Sequence, residues 1–353
     1  MVARFAVVGV VLALASLLES ADACCPVSRF QVPVVNADQS VIILWDAEAK
    51  TQHFIRRASF KSDGDDFGFL IPSPAQPELS ESGNEAFPLL AKLTEPETIT
   101  RPRPISFGCG VATMRDAAPG LAWSGGVKVL EQKTVAGFNA SVLEAKSATA
   151  LVQWLKENGY HYSREVEAWA KPYVDQGWKI TALKVAKDKE TLDKTVNAAA
   201  LRLSFKTDRP LFPYREPEYK GVNDTLGIKS RTLRIYFLAD ARYEGELTKE
   251  QPWSGKVVWS GKVTAKDRSK LLEHLKLPEL TGPRQWWLTE FEDDWSYQGA
   301  PADVYFSRAA KQATLKRPPI VQYVSNTRGG AWSLALMAAA ACVPSLASRW
   351  RRA

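Results

Sequence analysis

Nucleophilic or metal chemistry in this chain would have to be built from three histidines and four cysteines. His53 lies in an apolar run that reads as a strand, His161 follows a helix end, and His274 faces out of a helical leucine stripe. No H-x-x-x-H or H-E-x-x-H spacing exists, which excludes zincin-type metal chemistry. Cys109 stands between Gly108 and Gly110, a flexible setting in which a thiol could act with His53 or His161. No G-x-S-x-G elbow, P-loop or G-x-G-x-x-G is present, and no cofactor is expected. Asp63-Gly64-Asp65-Asp66 is an oxygen-rich turn, but Phe67 and Pro74 break the EF-hand pattern, so it reads as a solvated turn. Glu290, Glu292, Asp293 and Asp294 form a second acidic cluster, expected at a wet hairpin tip between two strands. Tryptophan is abundant, at 12 residues. Trp286 and Trp287 are the best pair to stack on a sugar face, yet on a strand they point to opposite sides, and core packing is the stronger reading.

The two ends carry the clearest signals. Arg4 precedes an uncharged apolar run from Phe5 to Leu18, followed by Ala21-Asp22-Ala23. Small residues at the first and third of those positions suit a signal peptidase, with cleavage between Ala23 and Cys24. An uncleaved anchor and an acylated Cys24 are the alternatives, the second disfavoured by Ala21 three residues before the cut. At the other end, Gly329-Gly330 precedes an uncharged stretch from Ala331 to Ala347, and Arg349, Arg351 and Arg352 follow. As a helix those residues would rise about 26 Å, marginal for hydrocarbon thickness. The terminal arginines would remain cytoplasmic. Either a plain tail anchor or a cleaved Gly-Gly-type sorting signal fits. The membrane is thus an expected partner.

Cysteine usage agrees with export. Cys342 falls inside the apolar stretch, leaving Cys24, Cys25 and Cys109 outside it. One of the adjacent pair is expected to bridge to Cys109, which leaves an odd thiol. The net charge is +7, much of it from the C-terminal arginines. No central basic stripe points to nucleic acid, which is not expected as a partner.

Periodicity between the ends predicts an α+β fold with mostly antiparallel sheet and a few packed helices. Three strands are expected within 41–71, then a covering loop with one short helix over 75–104. A hairpin spans 127–143. A helix capped by Ser147 runs to about Asn158, and a second helix is interrupted at Pro172. Leu201, Leu203 and Phe205 alternate with polar residues, as do Leu233, Ile235 and Phe237, a pattern that buries one sheet face and wets the other. A late helix starts at Thr264. The expected organisation is residues 1–23 as signal peptide, 24–320 as the exported region with a possible subdomain boundary near 207–230, 321–330 as linker and 331–353 as transmembrane segment.

Cys24-Cys25-Pro26, Ile43-Leu44-Trp45-Asp46 and Phe69-Leu70-Ile71-Pro72-Ser73-Pro74 resemble an uncharacterised family of exported bacterial proteins, domain of unknown function 2330. The resemblance continues through Trp154-Leu155, Gly159-Tyr160, Gly177-Trp178 and Lys184, then Leu203-Ser204-Phe205, Pro210 and Pro213-Tyr214. It implies export, and it carries over no catalytic residue. The resulting expectation is a membrane-anchored cell-envelope protein with a structural or binding role rather than an enzymatic one. Two alternatives stand beside it: an envelope hydrolase or thiol enzyme using Cys109, and a wall protein that binds envelope polysaccharide through exposed tryptophan.

Overall fold

A computed structural model describes residues 26–28, 39–57, 67–102, 127–160, 164–185, 200–217, 231–247, 252–295 and 302–324. In chain order the elements begin β1 (Pro26–Ser28), β2 (Gln39–Asp46), β3 (Thr51–Arg56), β4 (Phe67–Ser73), β5 (Glu78–Ser82), α1 (Ala86–Leu93), β6 (Thr98–Pro102), β7 (Val127–Val135) and β8 (Phe138–Ala145). Next come α2 (Ala148–Glu157), α3 (Arg164–Asp175), β9 (Lys179–Val185), β10 (Ala200–Lys206), β11 (Leu211–Phe212), β12 (Arg231–Ala239) and β13 (Tyr243–Glu246). The last are β14 (Lys256–Lys262), α4 (Ala265–His274), β15 (Trp287–Trp295), β16 (Val304–Arg308) and β17 (Ile320–Val324).

Contacts divide the chain into two units, residues 1–94 with 114–316, and 95–113 with 317–353. In the second unit β6 and β17 form a two-stranded parallel ribbon that leaves Ile99, Ile320 and Tyr323 exposed.

The first unit stacks four layers. A seven-stranded sheet has the order β14-β15-β12-β2-β3-β10-β5, and a five-stranded sheet the order β1-β4-β9-β8-β7. All their pairings are antiparallel except β12 with β2. Val41, Ile43, Phe54, Leu203 and Phe237 of the larger sheet share one core with Phe69, Phe138 and Leu183 of the smaller. The small sheet β11-β16-β13 adds Phe212, Tyr243 and Phe306 to that core. The outer face of the five-stranded sheet packs Leu70, Leu143 and Ile180 on α2 and α3. The outer face of the seven-stranded sheet packs Ile42, Leu44 and Ile55 on α1 and α4. Because both faces of β2 are covered, it needs a continuous apolar run, and its residues 41–45 supply one.

The expected α+β class holds, with four helices among the described residues and sheets that are largely antiparallel. Ser147 caps α2 by accepting from the Ala150 amide, and Thr264 caps α4 by accepting from the Asp267 amide. Four expectations need correction. β4 does not extend the β2–β3 hairpin but enters the other sheet, beside β9. The supposed covering loop contains β5, which forms the edge of the seven-stranded sheet. α3 runs through Pro172, whose missing N–H is outweighed by buried Trp169, Tyr173 and Val174 around it. The second face of β12 is not wet, because Tyr236 is 2% exposed beneath the helices.

The leader (1–23), the apolar tail (331–353), Cys24, Cys25, Cys109, His161, Gly329, Gly330, Arg349, Arg351, Arg352 and the turn 63–66 lie outside the described residues. Among the described residues no helix is long and apolar enough to cross a membrane.

Candidate functional site

Antiparallel register brings chemistry together where the sequence keeps it far apart. Across the helix-covered face of the seven-stranded sheet, Leu44 of β2 opposes His53 of β3, His53 opposes Ser204 of β10, and Ser204 opposes Glu78 of β5. Strand alternation points all four side chains to one face. His53 Nδ1 lies 2.8 Å from Ser204 Oγ, within hydrogen-bond distance. Burial lowers the His53 imidazole to about 4, with Arg202 and Lys206 acting in the same direction and Asp46 opposing them. The ring is therefore neutral at pH 7, and in its Nε2–H tautomer Nδ1 can accept the serine proton.

Arg202, two residues before Ser204 on the same face, is 8% exposed. One of its terminal nitrogens donates to the carbonyls of Leu275 at 2.6 Å and Lys276 at 3.1 Å. Those carbonyls close α4, so the guanidinium sits at the negative end of a helix dipole. Its buried Nε–H has no hydrogen-bond partner. Ser82 Oγ donates to the same Leu275 carbonyl. The corner thus holds a neutral imidazole, a hydroxyl and a cation.

The His53 environment makes stability depend on pH. Above pH 6.5 the ring is neutral both folded and unfolded and contributes nothing to the difference. As pH falls from 6.5 to about 4, the unfolded chain takes up a proton that the folded one resists, so stability falls. The expected loss through this one group is about 2–3 kcal/mol by pH 4. Urea melts of the wild type and of His53→Gln at several pH values check it. A wild-type curve no steeper than the variant's across that window would rule it out.

A second constellation surrounds the segment 213–217. Asp293, 1% exposed, accepts from Tyr214 Oη at 2.7 Å, Trp253 Nε1 at 3.1 Å and Ser254 Oγ at 2.7 Å. Asp303 accepts from Tyr173 Oη at 2.7 Å and the Arg215 amide at 3.1 Å. Burial holds the Asp303 carboxyl above its ordinary value, and the same cause, helped by Asp293, raises the Tyr214 phenol. These bonds, buried at Tyr173, Tyr214 and Trp253, tie an irregular segment to the core.

The acidic cluster is therefore not a wet hairpin tip. It lies within β15, where Asp293 points into the core and Glu290, 1% exposed, is 3.0 Å from Arg234. Glu292 meets the same guanidinium at 2.5 Å, as a cross-strand pair. Trp286 and Trp287, the sugar-stacking candidates, are 0% and 8% exposed. Arg268 covers the Trp286 ring at 5.0 Å, and Trp287 Nε1 donates to Ser260 Oγ at 2.8 Å. Neither indole can offer a face to a polysaccharide, because the helix layer and β14 consume them. His274 is half-buried in the last turn of α4. Among the described residues no three His, Cys, Asp or Glu side chains gather as metal ligands. An open cleft of 470 Å³ between α2 and α3 has charged walls that largely pair internally, as in Lys171–Asp175 and Thr149–Glu167.

A family model described as "Uncharacterized protein conserved in bacteria (DUF2330)" matches residues 19–307. The chain belongs to this family. No curated protein matches it. Among solved structures, that of baculovirus P35 is similar at 9% identity, covering 81% of this chain and 97% of its own, with a TM-score of 0.30 that carries no argument. Most of the motifs that resemble the family prove to be packing devices. Gly159 ends α2 at a φ of +76°, so that Tyr160 can fold back onto Trp154 with ring centroids 5.8 Å apart. Lys184 lies over the Tyr160 ring at 5.9 Å. A Cβ at Gly68 would meet the Leu183 carbonyl oxygen at 2.3 Å and the Tyr160 ring at 2.8 Å, so only glycine fits there. Leu203-Ser204-Phe205 differs. Its flanking residues are core, but its serine faces His53.

Sequence reasoning placed His53 and Ser204 on strands without joining them. Strand periodicity tells which face a side chain takes, and cross-strand partners depend on register, which no local pattern encodes for strands 151 positions apart.

Proposed function

We propose that this family member is an exported bacterial cell-envelope protein, held at the membrane by residues 331–353, whose layered region has a structural or binding role. One observation carries the reading: the chain pairs an apolar leader ending at Ala21-Asp22-Ala23 with an uncharged C-terminal stretch closed by Arg349, Arg351 and Arg352. The family is a bacterial one, as a bacterial envelope requires. The use of cysteine supports an oxidising location, with Cys109 bridged to Cys24 or Cys25 rather than serving as a nucleophile.

Deletion of residues 331–353 is expected to move the protein from the membrane pellet to the soluble fraction. A Leu336→Asp, Leu346→Asp variant should behave the same way, since each buried carboxylate costs about 2.5–3.5 kcal/mol on the insertion scale. Extraction of the intact protein by carbonate would refute the anchor. An epitope after Ala353 separates the two forms of it: retention in the mature protein means a plain tail anchor, and loss means processing after Gly329-Gly330.

A further inference from the structure

We propose that Ser204 and His53 form an acyl-transfer pair, with Ser204 as nucleophile, His53 as its base and small esters as the substrate class. The inference stands apart from the anchoring proposal, because it rests on the folded region alone.

Three observations carry it. The 2.8 Å contact between Ser204 Oγ and His53 Nδ1 is the nucleophile–base geometry that hydroxyl activation requires. Both residues are only partly buried, and neither belongs to the apolar clusters that fill the layers. Arg202 places a nearly buried positive charge on the same face, two residues from the nucleophile, close enough to act electrostatically on His53. A fixed cation beside a reacting carbonyl favours the negative charge that develops on its oxygen. The remaining charged groups facing the pair are Asp46 from β2, Lys206 from β10 and Glu78 from β5. Lys206 is engaged by the Ala49 carbonyl at 2.7 Å and Thr51 Oγ1 at 2.8 Å. The arrangement departs from a hydrolase triad. The hydroxyl, not the imidazole, occupies the middle of the row, with Glu78 beyond it, so no carboxylate orients the ring. A weakly basic imidazole without an orienting partner makes slow turnover the expectation.

The steps balance. Ser204 Oγ bonds to the ester carbonyl carbon as its proton passes to His53 Nδ1. The bond to the alkoxy oxygen breaks, and the departing alcohol takes that proton. Water then attacks the acyl-serine, gives one proton to His53 and releases the acid, and the serine recovers its proton from His53.

The test treats the full-length protein with an alkyl fluorophosphonate, which Ser204 would displace at phosphorus with loss of fluoride. Mass spectrometry of the intact protein and its peptides should show one adduct, at Ser204. Ser204→Ala should abolish it, and His53→Gln should slow it about a hundredfold, the range of general-base assistance. Melting curves establish that both variants are folded. If Ser204→Ala fails to fold, adduct mapping in the wild type still decides. An unmodified Ser204 in folded wild-type protein, with a serine hydrolase control fully labelled, overturns the proposal. So does an undiminished labelling rate in His53→Gln, since a purely structural hydrogen bond would leave an intrinsically reactive or inert serine unchanged.

Discussion

Asp293→Ala is expected to lower the unfolding free energy by about 2–6 kcal/mol, the sum for two buried donors left without their acceptor. The carboxylate is 1% exposed and accepts from three donors, Tyr214 Oη, Trp253 Nε1 and Ser254 Oγ. Truncation removes the acceptor from the buried Tyr214 hydroxyl and Trp253 indole N–H, while exposed Ser254 can turn to solvent. Each unsatisfied buried donor costs about 1–3 kcal/mol. The indole and phenol rings would remain packed, their centroids 6.2 Å apart, which limits relief by movement. Asp293→Asn keeps the shape but can accept through one oxygen only, so about half the loss is expected. Urea denaturation followed by fluorescence measures both variants. A midpoint shift worth less than about 1 kcal/mol for the alanine variant would show that the network is not under tension. The two segments it holds, 213–217 and 252–254, have little regular structure of their own. Protease cleavage within them should therefore rise in parallel.

Phe237→Ala should cost a similar amount, about 3–5 kcal/mol, by a different mechanism. Phe237 is 0% exposed on β12, near the middle of the seven-stranded sheet. Its ring lies 4.7 Å from Phe306, 4.9 Å from Tyr243 and 6.5 Å from Phe291. These rings come from β12, β13, β15 and β16, so one truncation opens a cavity where two sheets meet. Backbone ladders on both sides prevent collapse into it. Phe237→Leu restores much of the volume and should cost less than about 1.5 kcal/mol. A loss below 2 kcal/mol for the alanine variant would indicate that the small sheet relaxes inward, and that β11, β13 and β16 are not a rigid part of the core.

Much of the element content was legible because it depends on neighbours in sequence. Ser147 and Thr264 announce helix starts through capping chemistry that operates within one turn. Leu201, Leu203 and Phe205 announce a strand through period-2 alternation. The uncharged run of β2 announces a strand, though its burial on both faces emerges only from the layers around it. Where neighbours in sequence mislead, the errors share a cause. β5 was hidden because an edge strand needs few apolar residues, and Glu78-Leu79-Ser80-Glu81-Ser82 carries only one. The acidic run in β15 looked solvated because its compensation lies far off in sequence. Arg234 is 58 positions from Glu292, and Tyr214 is 79 from Asp293.

The sequence by itself determined the α+β class, the starts of α2 and α4 and the family, and it carries the terminal patterns on which the envelope proposal rests. These follow from local chemistry: capping, periodicity, apolar run length and cleavage-site pattern. Tertiary structure alone decided which sheet each strand joined, that Asp293 is a buried acceptor, and that His53 meets Ser204. The physical reason is register. A shift of one residue between β3 and β10 would turn His53 away from Ser204, and what prevents that shift is the burial of Phe54, Leu201 and Leu203 against a second sheet.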